Sequence, residues 1–327
     1  MSTSVTLQQL LAPVEEGMER MRAILIKQVT DGSDAVGDMT DHVSRFRGKQ
    51  LRAALVLLSG DATGNATDEH ATIAAVVEMI HLATLVHDDI LDGAEVRRRV
   101  ACVHRRWDNQ IAVLLGDFLY ARAFGLSTEL SSRLCSQMLS ETTRRICVGE
   151  IEQSTSRYDF EMGQERYERI AGAKTANLYA AACELGARYP GGHEAVGARM
   201  RTFGWEIGLA FQIVDDCLDV TGTLAEVGKS VGTDVEDGKV TLPVLRAYEA
   251  ANAAVRTQIR DTFCEPGLEG RVQRLAEVCD LAEGVRFAEA RAHELVDQAR
   301  ARLAVFPAGP ARSSLEALGD FVLERRS

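Results

Sequence analysis

The chain has 327 residues, 46% of them hydrophobic, and a formal net charge of −11. That is ample for a sizeable core. The acidic balance leaves no general basic surface for phosphates, which excludes a nucleic-acid binder and makes any anionic substrate depend on local basic residues or metal ions.

Aromatics make up only 6%, and the six prolines fall between apolar periodic segments, so helix is favoured over sheet. Helical periodicity runs through nearly the whole chain. Residues 7–29 read as a first amphipathic helix, and a polar stretch at 30–41 separates it from a helix over 48–59. A loop at 60–68 leads to a long apolar helix, 71–91. The segment 93–107 is charged and loop-like. Helices follow over 111–126, 130–155 and 165–189, the last stopped by Pro190 and two glycines. A helix over 193–220 precedes a loop, 221–239, with glycines at 222, 228, 232 and 238. Residues 239–251 and two or three more helices complete the chain. With no linker, the prediction is one large all-α domain, 1–327, a helical bundle.

Seven cysteines form no C-x-x-C pair, which reads as reduced thiols in a cytoplasmic protein. The N-terminus lacks a basic region followed by an apolar run, so no signal peptide is expected. No stretch approaches the roughly 18 apolar residues of a membrane span, so none is predicted.

Two acidic clusters dominate the chemistry. Asp88-Asp89-Ile90-Leu91-Asp92 and Asp215-Asp216-Cys217-Leu218-Asp219 share the form D-D-x-x-D, and each closes an apolar helix. On a helix Asp88 stacks with Asp92, and Asp215 with Asp219. Crowded carboxylates repel and are costly to bury. Mg2+ would relieve that cost, since it takes carboxylate oxygens together with phosphate and water. Two such clusters facing each other would hold several Mg2+ ions around one polyphosphate. A single D-D-x-x-D is most often a solvated face, whereas two copies at the ends of apolar helices point to metal.

Basic residues accompany them. Gly48-Lys49-Gln50-Leu51-Arg52 reads as a helix start with Lys49 and Arg52 on one face. Arg97-Arg98-Arg99 lies one loop past the first cluster, where it could clamp phosphate oxygens. Lys174-Thr175 interrupts an alanine-rich helix, and Lys229 and Lys239 flank the glycine-rich loop. Gly228-Lys229-Ser230 lacks the phosphate-loop spacing, so a nucleoside triphosphatase is rejected.

In this order the motifs resemble the trans-isoprenyl diphosphate synthases, or polyprenyl synthetases, from about residue 48 to 243. Gly48-Lys49-Gln50-Leu51-Arg52, His81, both aspartate clusters, Arg97-Arg98, Gly116-Asp117, Gly149-Glu150, Lys174-Thr175, Phe211-Gln212 and the stretch from Gly228 to Pro243 carry the likeness. The resemblance implies an isoprenoid-synthase fold around a central apolar cavity, usually a homodimer. It implies three Mg2+ ions per active site, held by Asp88, Asp92 and Asp215, with Asp89, Asp216 and Asp219 supporting. Lys49, Arg52, His81 and Arg98, with Gly48, would bind isopentenyl diphosphate. Arg97, Lys174, Thr175, Gln212, Lys229 and Lys239 would hold the allylic diphosphate, farnesyl or geranylgeranyl. The acidic residues with Lys174 and Lys229 would drive its ionisation.

Two departures stand out. Arg99-Val100-Ala101-Cys102 replaces the family's glycine, proline and threonine, and Ala53 follows Arg52 where proline is common. Every charged position survives. The resemblance also places chain-length control just upstream of the first cluster, where Thr84 and Ala83 are small. Ala83 lies roughly 7.5 Å below Asp88 along the helix, with Ile80, Val77 and Val76 beyond. A product longer than farnesyl, geranylgeranyl or beyond, is expected, with Phe118 or Phe124 as a possible floor. Two rivals are weighed. A class I terpene cyclase would not need Lys49, Arg52 and His81. A non-catalytic subunit of a heteromeric synthase would have lost aspartates that this chain keeps.

Overall fold

A computed structural model describes residues 6–30, 34–46, 48–97, 100–221, 232–265, 268 and 270–325. The expected all-α architecture holds: the one sheet among the described residues pairs two two-residue strands. Contacts divide the chain into two compact units. One comprises Met1–Thr143, Leu178–Gly204 and Ala299–Phe321; the other comprises Arg144–Asn177, Trp205–Gln298 and Val322–Ser327.

The first unit begins with α1 (Leu7–Leu11), set by a capping box in which the Thr6 hydroxyl accepts from the Gln9 N–H. A 3-10 turn at Pro13 breaks the single helix expected there, and α2 follows (Glu15–Thr30). Next come α3 (Asp34–Ser44), α4 (Leu51–Thr63), α5 (His70–Leu91), strands β1 (Val96–Arg97) and β2 (Val100–Ala101), α6 (Val103–Arg106) and α7 (Asn109–Thr128). The polar stretch read as a separator is thus largely helical. Asp108 caps α7 by accepting from the Ile111 N–H at 2.7 Å.

Helix α5 packs on α2, α4 and α7. It buries Ile73, Val76, Val77, Met79, Ile80 and Val86 completely. Each such side chain contributes about 1.5–3 kcal/mol. By length and composition α5 and α7 are both apolar enough to cross a membrane, which corrects the expectation that no stretch comes close. The most apolar window of α5 is 72% buried inside the protein and that of α7 is 39% buried.

The remaining helices are α8 (Leu134–Thr155), α9 (Gly163–Ala171), α10 (Asn177–Arg188), α11 (Glu194–Thr221), α12 (Thr233–Glu236), α13 (Leu242–Ala250), α14 (Ala253–Cys264), α15 (Arg271–Val278), α16 (Leu281–Leu303) and α17 (Pro310–Leu323). Within the first unit, α10 meets α4 at Gly186, where a Cβ would lie 2.1 Å from the Val56 carbonyl oxygen. Only glycine allows that approach. A π turn, Gly172–Ala176, joins α9 to α10. In the second unit Phe160 packs against Tyr248 and Phe263, with ring centroids 4.7 and 5.1 Å apart.

Candidate active site

In the first unit α5 ends at Leu91, and Asp92 follows in a helical conformation with its N–H donating to the Asp88 carbonyl at 2.8 Å. Asp88 and Asp92 therefore keep their i, i+4 relation and are half-buried on one face. Asp89 turns inward and is 1% exposed. Arg97 on β1 grips it, donating to Oδ1 from Nε at 2.7 Å and from Nη2 at 2.6 Å. Burial opposes the Arg97 charge, but Asp89 and then Asp88 raise its pKa above the ordinary value.

After the cluster β1 and β2 pair antiparallel, with Val96 opposite Ala101 and Arg97 opposite Val100. Cys102 follows β2, fully buried. Burial, then the neighbouring Asp89, pushes its thiol up to about 12. Arg97, expected on a diphosphate, is thus engaged with Asp89. Arg98 and Arg99 lie outside the described residues.

Lys49 precedes α4 instead of lying on it. Gln50, in the left-handed region at φ 52°, is the residue before the first turn. Its side-chain oxygen accepts from Arg22 Nε at 2.9 Å. The shared helical face expected for Lys49 and Arg52 is therefore absent, and exposed Gly48 lies just ahead. Lys49 Nζ sits 5.1 Å from the Phe321 ring centroid. Arg52 and His81 do come together, with Arg52 Nη1 donating to His81 Nε2 at 3.0 Å. A guanidinium only donates, so Nε2 accepts and the ring proton sits on Nδ1. The same guanidinium lies over the Tyr179 ring at 4.5 Å. Below the cluster, Ile80 and Ala83 are wholly buried, and the Thr84 hydroxyl donates to the His81 carbonyl at 2.8 Å.

In the second unit the second cluster divides differently, with both its second and its third aspartate buried. Asp216 is 3% exposed and Asp219 1%. Asp216 accepts from the Tyr167 hydroxyl at 2.5 Å and from Gln212 Nε2 at 2.7 Å. Burial, then the charge of Asp234, pushes its carboxyl well above the usual range. Asp219 accepts from the Thr233 hydroxyl and from the Asp234 N–H, both at 3.1 Å. Asp215 is more open. Arg325 pairs with it, Nη2 to Oδ1 at 3.1 Å, and stacks over Phe211 at 3.9 Å.

Lys174 and Thr175 sit in the π turn, a local irregularity that frequently marks function. Lys174 Nζ lies 2.8 Å from Glu150 Oε1 and donates to Gln153 at 3.0 Å. Thr175 donates to Gln212 Oε1 at 2.7 Å. Lys239 pairs with Asp237 at 3.1 Å and Asp234 at 3.4 Å. A cleft of about 440 Å³ is lined by Gln153, Tyr167, Lys174, Gln212, Asp216 and Lys239. Lys229, with Gly228 and Ser230, lies outside the described residues.

The six aspartates thus separate into three buried and hydrogen-bonded residues (Asp89, Asp216, Asp219) and three more open ones (Asp88, Asp92, Asp215). Among the described residues no three His, Cys, Asp or Glu side chains form a ready-made metal cage. Mg2+ usually takes only one or two carboxylates, completed by phosphate and water. The Asp88–Asp92 pair and, separately, Asp215 fit such partial donor sets. Asp215 already accepts a positive partner in Arg325. Sequence reasoning missed Arg325, Tyr167 and Tyr179, none of which stands in a motif. Asp234 and Asp237 both lie within five residues before Lys239 and could have been suspected from that spacing.

A sequence profile described as polyprenyl synthetase matches residues 33–279. The chain is 35% identical over 285 residues to heptaprenyl diphosphate synthase component 2 of Bacillus subtilis (strain 168), covering 87% of this chain and 81% of that one. It is 31% identical to octaprenyl diphosphate synthase of Escherichia coli (strain K12), over 95% and 96% of the two chains. Its fold superposes on polyprenyl synthase from Caulobacter crescentus CB15, complexed with calcium and isoprenyl diphosphate. There the TM-score is 0.94, with 33% identity and full coverage of both chains.

Proposed function

The chain belongs to the polyprenyl synthetase family and is a prenyltransferase, and we propose that it joins isopentenyl diphosphate to farnesyl or geranylgeranyl diphosphate, lengthening an all-trans chain with Mg2+ as cofactor. The observation that carries the residue assignment is the division of the six aspartates. Asp88, Asp92 and Asp215 would hold the divalent cations, of which we propose three. Asp89, Asp216 and Asp219 hold the framework around them through Arg97, Tyr167, Gln212 and Thr233.

Bound cations would neutralise charge that develops on the departing diphosphate. Lys174, Lys239, Thr175 and Gln212 would add donors to the allylic diphosphate, exchanging their present carboxylate and amide partners for phosphate oxygens. Arg52, His81 and Lys49 would take the isopentenyl diphosphate. Lys229 and Arg98 join these two sets by motif alone. The allylic C–O bond breaks with both electrons leaving on the diphosphate. The isopentenyl double bond attacks the resulting cation, and the proton then lost passes to the released diphosphate. Apolar walls from α5 keep water from the cation.

We propose a product longer than farnesyl. Ala83 and Ile80 offer no aromatic stop below the cluster, and the relatives above are named for heptaprenyl and octaprenyl products. A homodimer is proposed from exposed apolar side chains on α7, Val113 at 44% and Leu114 at 55%. A heteromeric assembly is the second reading, favoured by a relative named as component 2. A cytoplasmic setting accords with seven free cysteines.

An aspartate-to-asparagine series tests the assignment. At Asp88, Asp92 and Asp215 the Mg2+ requirement should rise steeply with little change in melting of the metal-free chain. Uniform effects across all six positions would contradict it.

A further inference from the structure

Two conspicuous features remain without a role: the Gly116-Asp117 step on α7 and His87, the residue just before Asp88. They meet within the first unit. His87 Nε2 lies 3.1 Å from the Val113 carbonyl oxygen and 3.7 Å from Asp117 Oδ1. The carbonyl can only accept, so Nε2 carries the proton and donates to it. A Cβ on Gly116 would fall 2.1 Å from the same nitrogen and 2.4 Å from Cδ2. The imidazole thus occupies a notch that only glycine leaves open. The Tyr120 ring, 5.9 Å away, borders it, and Phe124 stacks on Tyr120.

The ring, 28% exposed, lies against Gly116 and the Val113 carbonyl and so ties the last turn of α5 to α7. Asp88 is the next residue, and Asp92 is tied to it by the backbone bond at 2.8 Å. We propose that His87 is a positioning residue. Seated over Gly116 and bonded to the Val113 carbonyl, it sets the direction in which Asp88 and Asp92 present their carboxylates. The Gly116-Asp117 step is then the socket for this ring. The inference rests on the reading that Asp88 and Asp92 hold a divalent cation. It requires no change in the protonation of His87. Groups that orient metal-binding side chains typically carry 10–100-fold in metal affinity.

The test is calorimetric binding of Mn2+ to the full-length chain with inorganic diphosphate present. His87→Ala and Gly116→Ala should each weaken Mn2+ about tenfold, whereas His87→Gln, whose amide still reaches the Val113 carbonyl, should stay within about threefold of wild type. The KM for isopentenyl diphosphate should hold while kcat falls. The double variant His87→Ala/Gly116→Ala separates positioning from packing. Its added methyl refills part of the notch, so melting should recover while Mn2+ affinity stays low. Wild-type Mn2+ affinity in the folded His87 and Gly116 variants, with Asp88→Ala losing it, overturns the positioning role alone. Unchanged affinity in Asp88→Ala overturns the underlying metal assignment, and the inference falls with it.

Discussion

Arg325 and Asp215 pair at 3.1 Å although 110 residues separate them. The arginine side chain is 9% exposed, with its guanidinium carbon over the Phe211 ring at 3.9 Å. It supplies the positive charge that a cation would bring to the same carboxylate. A metal ion at Asp215 must therefore displace Arg325 or share the carboxylate with it. Removing the arginine should ease metal entry. Partly exposed pairs are worth about 0.2–1 kcal/mol, so Arg325→Ala should lower the half-saturating Mg2+ concentration by up to roughly fivefold. Metal titration of initial rates checks this.

Arg97 and Asp89 form a pair with one partner fully buried. Arg97→Ala leaves a carboxylate inside the first unit without its counter-charge. Such a loss costs about 3 kcal/mol, and the double variant Arg97→Ala/Asp89→Asn should regain most of it. Denaturant unfolding of the metal-free chain measures both. Equal stability of the two variants would mean that Arg97 serves substrate and not Asp89.

Ala83 is wholly buried on α5, one turn and a residue below Asp88. Replacing it by phenylalanine puts a ring where a methyl stood and overpacks the core by about 1–3 kcal/mol. If the growing chain passes Ala83, products of Ala83→Phe should be shorter than those of wild type. An unchanged product length would move the stop elsewhere on α5 or to a neighbouring helix.

Glu168 and Arg291 pair through two bonds, at 2.8 and 3.1 Å. Burial works against the Glu168 charge, but the Arg291 and Gln164 bonds outweigh it and hold its pKa below 4.5. A depressed carboxylate stabilises the fold above its unfolded pKa and loses that contribution as pH falls through the folded one. Arg291→Ala should cost about 1–2 kcal/mol at pH 7. The deficit should shrink as pH drops below 4.5. Melting curves of both proteins across that range decide it.

Much of the fold was legible because buried helices write their period into the sequence. Helices α5, α7 and α11 lie within a few residues of their predicted spans. Helix α3 was missed because its glycine and aspartates read as a separator, although Val36, Met39 and Val43 recur at helical spacing. Strands β1 and β2, two residues each, are too short for any periodic signal. In the site, residue types and order were readable, but the roles of neighbours were not. Nothing local distinguishes Asp88 from Asp89. The difference is that Asp89 turns inward and takes both Arg97 contacts, at 2.6 and 2.7 Å. Lys49 was misplaced because the left-handed Gln50 delays the start of α4. Arg325 carried no sequence signal, since its partner lies 110 residues away.

The most direct measurement is product sizing by mass spectrometry. The purified chain alone would be incubated with isopentenyl diphosphate, farnesyl diphosphate and Mg2+. A ladder of all-trans products longer than C15 is predicted, abolished by chelation and by Asp88→Ala or Asp215→Ala. No elongation by the folded chain, with activity appearing only when a second subunit is added, would contradict the account.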